Sequence, residues 1–233
     1  MYYIYPQVIL AFTVALYLWD RYRKQTVKNL ATLGLIVGFL NLALVGLAQF
    51  IISTNLLTWD YKILYFLRYL FLVLALVFIL WAVVRLVTER PFYKTALPIL
   101  IFLLAISWVY FGVFVLKDIF LTTLVGTFLF YVPIGLALGI LFLLLYSRLA
   151  FLKDGFKNNL GPLLVSLGWF IHAINASRIP FILDKPEMEK YLLVVAIPYL
   201  FWLIGFVLLE KETKKAFETK MRIHGLRRKR EKI

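Results

Sequence analysis

This chain predicts an all-α polytopic membrane protein, a single bundle of seven transmembrane helices with its amino terminus outside and its carboxyl terminus in the cytoplasm. Three observations carry that prediction. Seven apolar runs of membrane-crossing length fill nearly the whole chain. Of its 233 residues 63% are hydrophobic and 16% charged, where a soluble domain is nearer a quarter charged. The basic residues, finally, collect on one side of the runs. At about 1.5 Å per residue, roughly 20 residues cover a hydrocarbon core of about 30 Å. Backbone amides find no water in lipid, so each run must be a helix. A closed barrel would need segments of about ten residues alternating polar and apolar, and the sequence has none.

The first run, Tyr2–Trp19, opens on Met1-Tyr2-Tyr3-Ile4-Tyr5-Pro6, with no basic residue ahead and no small-residue cleavage pattern behind. It therefore reads as helix one rather than a cleaved signal peptide. The second, Leu30–Ile52, carries Gly34 and Gly38. This small-xxx-small pair lets backbones approach where hydrophobicity cannot drive association. The third, Ile63–Val84, holds a single charge, Arg68, and the fourth, Ala96–Leu116, holds none. The fifth, Ile119–Tyr146, is the longest and repeats the glycine spacing at Gly135 and Gly139. Its Pro133 removes a ladder hydrogen bond and predicts a kink. The sixth, Leu160–Leu183, includes Pro180, and the seventh, Tyr191–Leu209, includes Pro198. Short loops make consecutive helices antiparallel neighbours. Residues 1–209 thus form the membrane domain and residues 210–233 a basic cytoplasmic tail.

Lys and Arg are retained on the cytoplasmic side of short loops. Of the 26 basic residues, 20 lie in the first, third and fifth loops and the tail, and four, Lys62, Lys117, Lys185 and Lys190, lie on the other side. The remaining two, Arg68 and Arg178, fall inside helical runs.

Polar groups in hydrocarbon are costly and mark candidate sites. The densest set is on run six: His172, Asn175, Ser177 and Arg178. At about 100° per residue, His172, Asn175 and Arg178 share an arc of about 120°, which is expected to line one pocket. Arg68, Gln49, Thr122, Thr123, Thr127 and Tyr199 fall in the outer half by the same topology. An outward-facing polar chamber follows, with His172, Asn175, Arg178, Arg68, Gln49, Thr127 and Tyr199 as its ligand-binding residues. Both arginines have an alternative, snorkelling to the outer interface. Arg68 would do so among Trp59, Tyr61 and Tyr65, and Arg178 beside Asp184, Glu187 and Glu189.

All twelve acidic residues lie in loops, helix ends or the tail. That argues against a carboxylate proton relay, an intramembrane aspartyl protease and a magnesium-diphosphate prenyl transferase. One histidine within the runs makes no bis-His haem pair, and no cysteine is present for a thiolate metal site or a disulfide. No cofactor, metal site or catalytic residue is assigned. The architecture, though no motif, resembles rhodopsin-type and receptor-type bundles and the membrane halves of prokaryotic sensor kinases. A retinal pigment of that kind would need a Schiff-base lysine in mid-helix seven, and Tyr191–Leu209 contains none.

The tail holds ten Lys and Arg against four acids and includes Arg227-Arg228-Lys229-Arg230, a cluster drawn to anionic lipid headgroups at about 1 kcal/mol per basic residue. Charge alone would also fit nucleic acid, but nearness to the membrane makes lipid the expected partner. The other partners expected are the bilayer itself and a separate cytoplasmic signalling partner or a second copy of the chain, in a prokaryotic cell membrane. Three function classes follow, in order. The first is a sensor binding a small anionic or amphiphilic ligand from outside, the second a small-solute transporter or channel, and the third an intramembrane lipid-modifying enzyme.

Overall fold

The computed structural model describes residues 5–26, 28–54, 56, 59–88, 90–151, 160–182 and 194–209. Of these, 94% are helical and none is in a strand. The helices are α1 (Tyr5–Lys24), α2 (Leu30–Thr54), α3 (Tyr61–Val87), α4 (Phe92–Leu116), α5 (continuous through Ile119–Gly126, Thr127–Tyr131 and Val132–Phe151), α6 (Leu160–Ile182) and α7 (Val194–Leu209). The expected headgroup site at Arg227, Arg228, Lys229 and Arg230 lies outside the described residues, as do Asp184, Glu187 and Glu189.

Five helices, α2 to α6, are long and apolar enough to cross a membrane, and these make the chain a multi-pass membrane protein. The described part of α7 is shorter. Helix α1 continues past Trp19 into a charged last turn of Asp20, Arg21, Arg23 and Lys24. There Lys24 Nζ donates to Asp20 Oδ2 at 2.6 Å, which holds that carboxyl below the usual carboxylate range. Ile99, Leu100, Leu103 and Leu104 on α4 are all at least half exposed. An apolar face of that extent is stable against lipid and not against water.

Chain neighbours pack antiparallel, α1 on α2, α2 on α3, α3 on α4 and α5 on α6, with α3 also against α5. Helix α7 sits among them. Its Trp202 meets Phe39 of α2 with ring centroids 5.3 Å apart, and its Phe206 meets Phe39 at 5.8 Å and Phe142 of α5 at 6.4 Å. The glycines read as contact points lie at these seams. Gly34 and Gly38 face Trp81 and Ile79 of α3, and Gly135 and Gly139 face Ala173 and Phe170 of α6. The seam of α6 against α7, where backbone meets backbone, uses glycines the spacing rule did not select. A Cβ on Gly161 would lie 2.8 Å from the Gly205 carbonyl oxygen, and one on Gly205 equally close to that of Gly161.

Two helices change register in the turn just before a proline. In α5 the turn Thr127–Tyr131 is a π-turn, closed by Val132 N–H donating to Thr127 C=O, immediately before Pro133. In α4 the turn Phe92–Ala96 is closed by Leu97 N–H donating to Phe92 C=O, immediately before Pro98. Proline has no N–H to give and its ring crowds the carbonyl four residues back, and the extra residue in the π-turn relieves both. A third π-turn, Phe111–Leu116, ends α4, with Lys117 in the left-handed region at φ 58°. Asp118 then caps α5 by accepting from Leu121 N–H at 2.8 Å.

Candidate functional site

A cavity opens among six of the seven helices, at the end of the bundle where α1 begins. It is reached by the starts of α1, α3, α5 and α7 and by the ends of α2 and α6. Its polar lining comes from Gln7, Gln49, Arg68, Tyr69, Thr123, Thr127, Tyr131, His172 and Tyr199, set among aliphatic residues such as Leu42, Val45 and Ile179. Among the described residues no aspartate or glutamate lines it. It encloses about 70 Å³, room for a few water molecules or a small polar group. The opposite end of the bundle carries Arg21, Arg23, Lys24, Lys28, Arg85, Arg90 and Lys94.

Arg68 is the one formal charge on the cavity wall among the described residues, and it stands just over two turns into α3, whose start is capped by the Asp60 side chain accepting from Lys62 N–H. It is 7% exposed. Its Nε and Nη1 are buried and bond to nothing among the described residues. Its guanidinium carbon lies 5.3 Å from the centroid of the Tyr69 ring, a cation–π contact that offsets part of the desolvation. Beside it on the same wall, Gln49 directs Nε2 to Ser53 Oγ at 3.3 Å and leaves a buried Oε1 without a partner. A buried cation without a counter-charge is costly, so this wall is poised for an anionic or strongly accepting group.

The facing wall is built on His172. Its ring sits within 6 Å, centroid to centroid, of Tyr131, Trp169, Tyr199 and Trp202. Its Nε2 pairs with the Tyr131 hydroxyl across the α5–α6 seam, and its buried Nδ1 has no partner. Two further side-chain bonds pin the walls. Gln7 Nε2 donates to Tyr199 Oη at 3.2 Å and ties α1 to α7. The hydroxyls of Tyr69 and Thr123 pair and tie α3 to α5. The cavity is therefore held open by its own lining. Among the described residues no group of three or more His, Asp or Glu side chains comes together to hold a metal ion.

Of the seven residues expected at a ligand site, His172, Arg68, Gln49, Thr127 and Tyr199 line the cavity, and Asn175 and Arg178 do not. The expected arc on α6 ran from His172 through Asn175 to Arg178. The stripe that faces the cavity is instead His172, Ala176 and Ile179, the neighbours four and seven residues on. Asn175 is turned to α7, where its Nδ2 donates to Val194 C=O at 3.3 Å. Arg178 is exposed. Arg68, for which snorkelling among interfacial aromatics was the alternative, is buried on the cavity wall. Gln7, Tyr69 and Tyr131 were not expected. Gln7 carried a readable signal, an amide inside an apolar run. Tyr69 and Tyr131 did not, since a tyrosine in a span looks the same in sequence whether it faces lipid or protein. No family model, curated protein or solved structure matches the chain.

Proposed function

We propose that this chain is a sensor-type membrane bundle that binds a small anionic or amphiphilic ligand from the outer side, in the cavity walled by Arg68, Gln49, His172 and Tyr199. All seven helices span the membrane in this reading, with the amino terminus outside and the basic end of the bundle in the cytoplasm, in a prokaryotic cell membrane. Occupancy is relayed to a separate cytoplasmic partner or a second copy. The single observation that carries the proposal is the buried guanidinium of Arg68, whose Nε and Nη1 have no partner, and whose wall has no carboxylate, among the described residues. The positive-inside distribution of Lys and Arg supports the orientation, since it puts the cavity on the outer side.

Dodecanoate binding to the protein in nanodiscs tests the reading. Arg68→Gln keeps hydrogen-bonding capacity and removes the charge, and should weaken binding about 10-fold or more, the value of a charge-assisted hydrogen bond. Unchanged affinity would remove the reading's main support. Proteoliposomes separate the alternatives. A sensor moves no solute, uptake of the anion would assign the cavity to a transporter, and chemical turnover of vesicle lipid would assign it to an enzyme.

A further inference from the structure

A second, smaller chamber adjoins the first. It lies between α3, α4 and α5, encloses about 40 Å³, and is bounded by Leu76, Ala105, Trp108, Val109, Gly126 and Phe130. Tyr69, Leu72, Thr123, Thr127 and Tyr131 line both chambers, so the two share a wall. The hydrogen-bonded pair Tyr69 and Thr123 belongs to that shared wall. The two spaces differ in chemistry. The first presents Arg68 and Gln49 atoms in want of partners. In the second the polar groups are already spent. Thr122 Oγ1 donates to Asp118 C=O at 2.5 Å, Thr123 Oγ1 to Ile119 C=O at 2.7 Å, and Trp108 Nε1 to Thr122 C=O at 3.3 Å. What remains facing its interior is aliphatic and aromatic surface. On α3 the combined lining runs from Arg68 to Leu76, about 12 Å along the helix axis.

We infer that the two chambers form one bipartite site for a single-chain anionic amphiphile. The head group sits on Arg68, and the alkyl chain passes the Tyr69–Thr123 pair into the chamber between α3, α4 and α5. This rests on the reading of Arg68 as an anion site and adds the shape of the ligand to it. One apolar chamber beside one cation fits one chain. A free carboxylate and the phosphate of a lysolipid share the chemistry that Arg68 would recognise.

The test is a homologous series of straight-chain carboxylates, butyrate to tetradecanoate, titrated against the full chain in nanodiscs. Affinity should rise about fourfold per methylene while the chain fills the second chamber, then level off. Gly126 offers a clean way to shorten the chamber. Its backbone is ordinary right-handed helix at φ −58°, and an added Cβ would lie 3.9 Å from Trp108 Cδ1, a normal contact. Gly126→Leu should lower decanoate affinity about 10-fold or more and leave butyrate within about twofold, since four added carbons displace several methylenes. Val109→Ala, which enlarges the chamber, should move the levelling-off to longer chains. If neither variant alters the chain-length profile, the chain does not enter this chamber and the inference fails. Arg68→Gln separates that failure from failure of the anion reading. It should lower affinity for every chain length by the same factor, and no effect from it, with the Gly126→Leu truncation intact, would overturn the anion reading alone. In competition against dodecanoate, one-chain lysophosphatidate should displace it, and equal displacement by two-chain phosphatidate would overturn the single-chain assignment.

Discussion

Replacing Arg68 by methionine should make the ligand-free protein more stable while abolishing its response to ligand, a combination that a structural arginine cannot produce. Two buried donors, Nε and Nη1, have no partner among the described residues, and each orphaned buried polar group costs about 1–3 kcal/mol, more when charged. Methionine is unbranched and fills irregular apolar space of similar length. The substitution forfeits the contact of the guanidinium with the Tyr69 ring at 5.3 Å, about 0.5–2 kcal/mol. The balance is a gain of about 1–4 kcal/mol, in line with other replacements of buried ions by apolar side chains. For a chain of this size that is a rise of several degrees in melting temperature. The assay is thermal unfolding of delipidated protein in a neutral detergent, with and without dodecanoate. Ligand at about 100 times its Kd should add about 2.7 kcal/mol to the wild type and nothing to Arg68→Met. A lower melting temperature for Arg68→Met in the ligand-free protein would refute the reasoning, because it would mean that the guanidinium is held by protein and is not vacant.

Tyr131→Phe removes the only described partner of His172 Nε2 and leaves both ring nitrogens unpaired. It should cost about 1–3 kcal/mol in detergent unfolding. Gly205→Ala drives a Cβ to 2.8 Å from the Gly161 carbonyl oxygen and should destabilise by about 1–3 kcal/mol. Gly126→Ala meets nothing closer than 3.9 Å and should stabilise by up to about 1 kcal/mol through helix propensity. The opposite signs are the check, and Gly34→Leu, pressed against Trp81, should resemble Gly205→Ala. In the naturally cysteine-free chain, a cysteine at Ser53 should react with an impermeant maleimide on intact cells and one at Asn158 should not. Labelling at Asn158 alone would reverse the orientation.

The helices were legible because membrane spans are written in length and apolarity, which need no partner to interpret. Leu30, Ile119 and Leu160 are the first residues of their helices in both readings. The polar lining was legible only where polarity is rare. Arg68, Gln49, Thr127 and His172 stand out in apolar runs, and so would Gln7. Helical phase was the weak point. Counting 100° per residue from His172 puts Asn175 and Ala176 on opposite sides of it at comparable angles. Which side faces the cavity is decided by α7, whose Val194 carbonyl takes the Asn175 amide, and that contact is invisible along one helix. Pro133 was legible as a disturbance but not as a π-turn, since the choice between a kink and a register shift depends on what α5 packs against.

The distribution of unmet polar groups supports the proposed reading of the cavity as a binding site. Among the described residues four buried side-chain polar atoms without a hydrogen-bond partner, Arg68 Nε, Arg68 Nη1, Gln49 Oε1 and His172 Nδ1, belong to residues lining this one cavity, against one, Arg85 Nε, at the far end of the bundle. Trp202 Nε1 is a fifth on a ring 5.0 Å from that of His172. Within the other spans polar side chains find backbone acceptors, as Ser166 does across the α5–α6 seam on the Gly139 carbonyl at 2.7 Å and Asn41 on the Val37 carbonyl of its own helix at 2.8 Å. A sequence that closes its hydrogen bonds so economically in the rest of the membrane gains nothing in stability by leaving donors and acceptors open around one space. Local rules are broken where function needs them broken. The charge left open is positive and the walls beside it are apolar, which is the pairing that the proposed ligand, with a negative head and a hydrocarbon body, would complete.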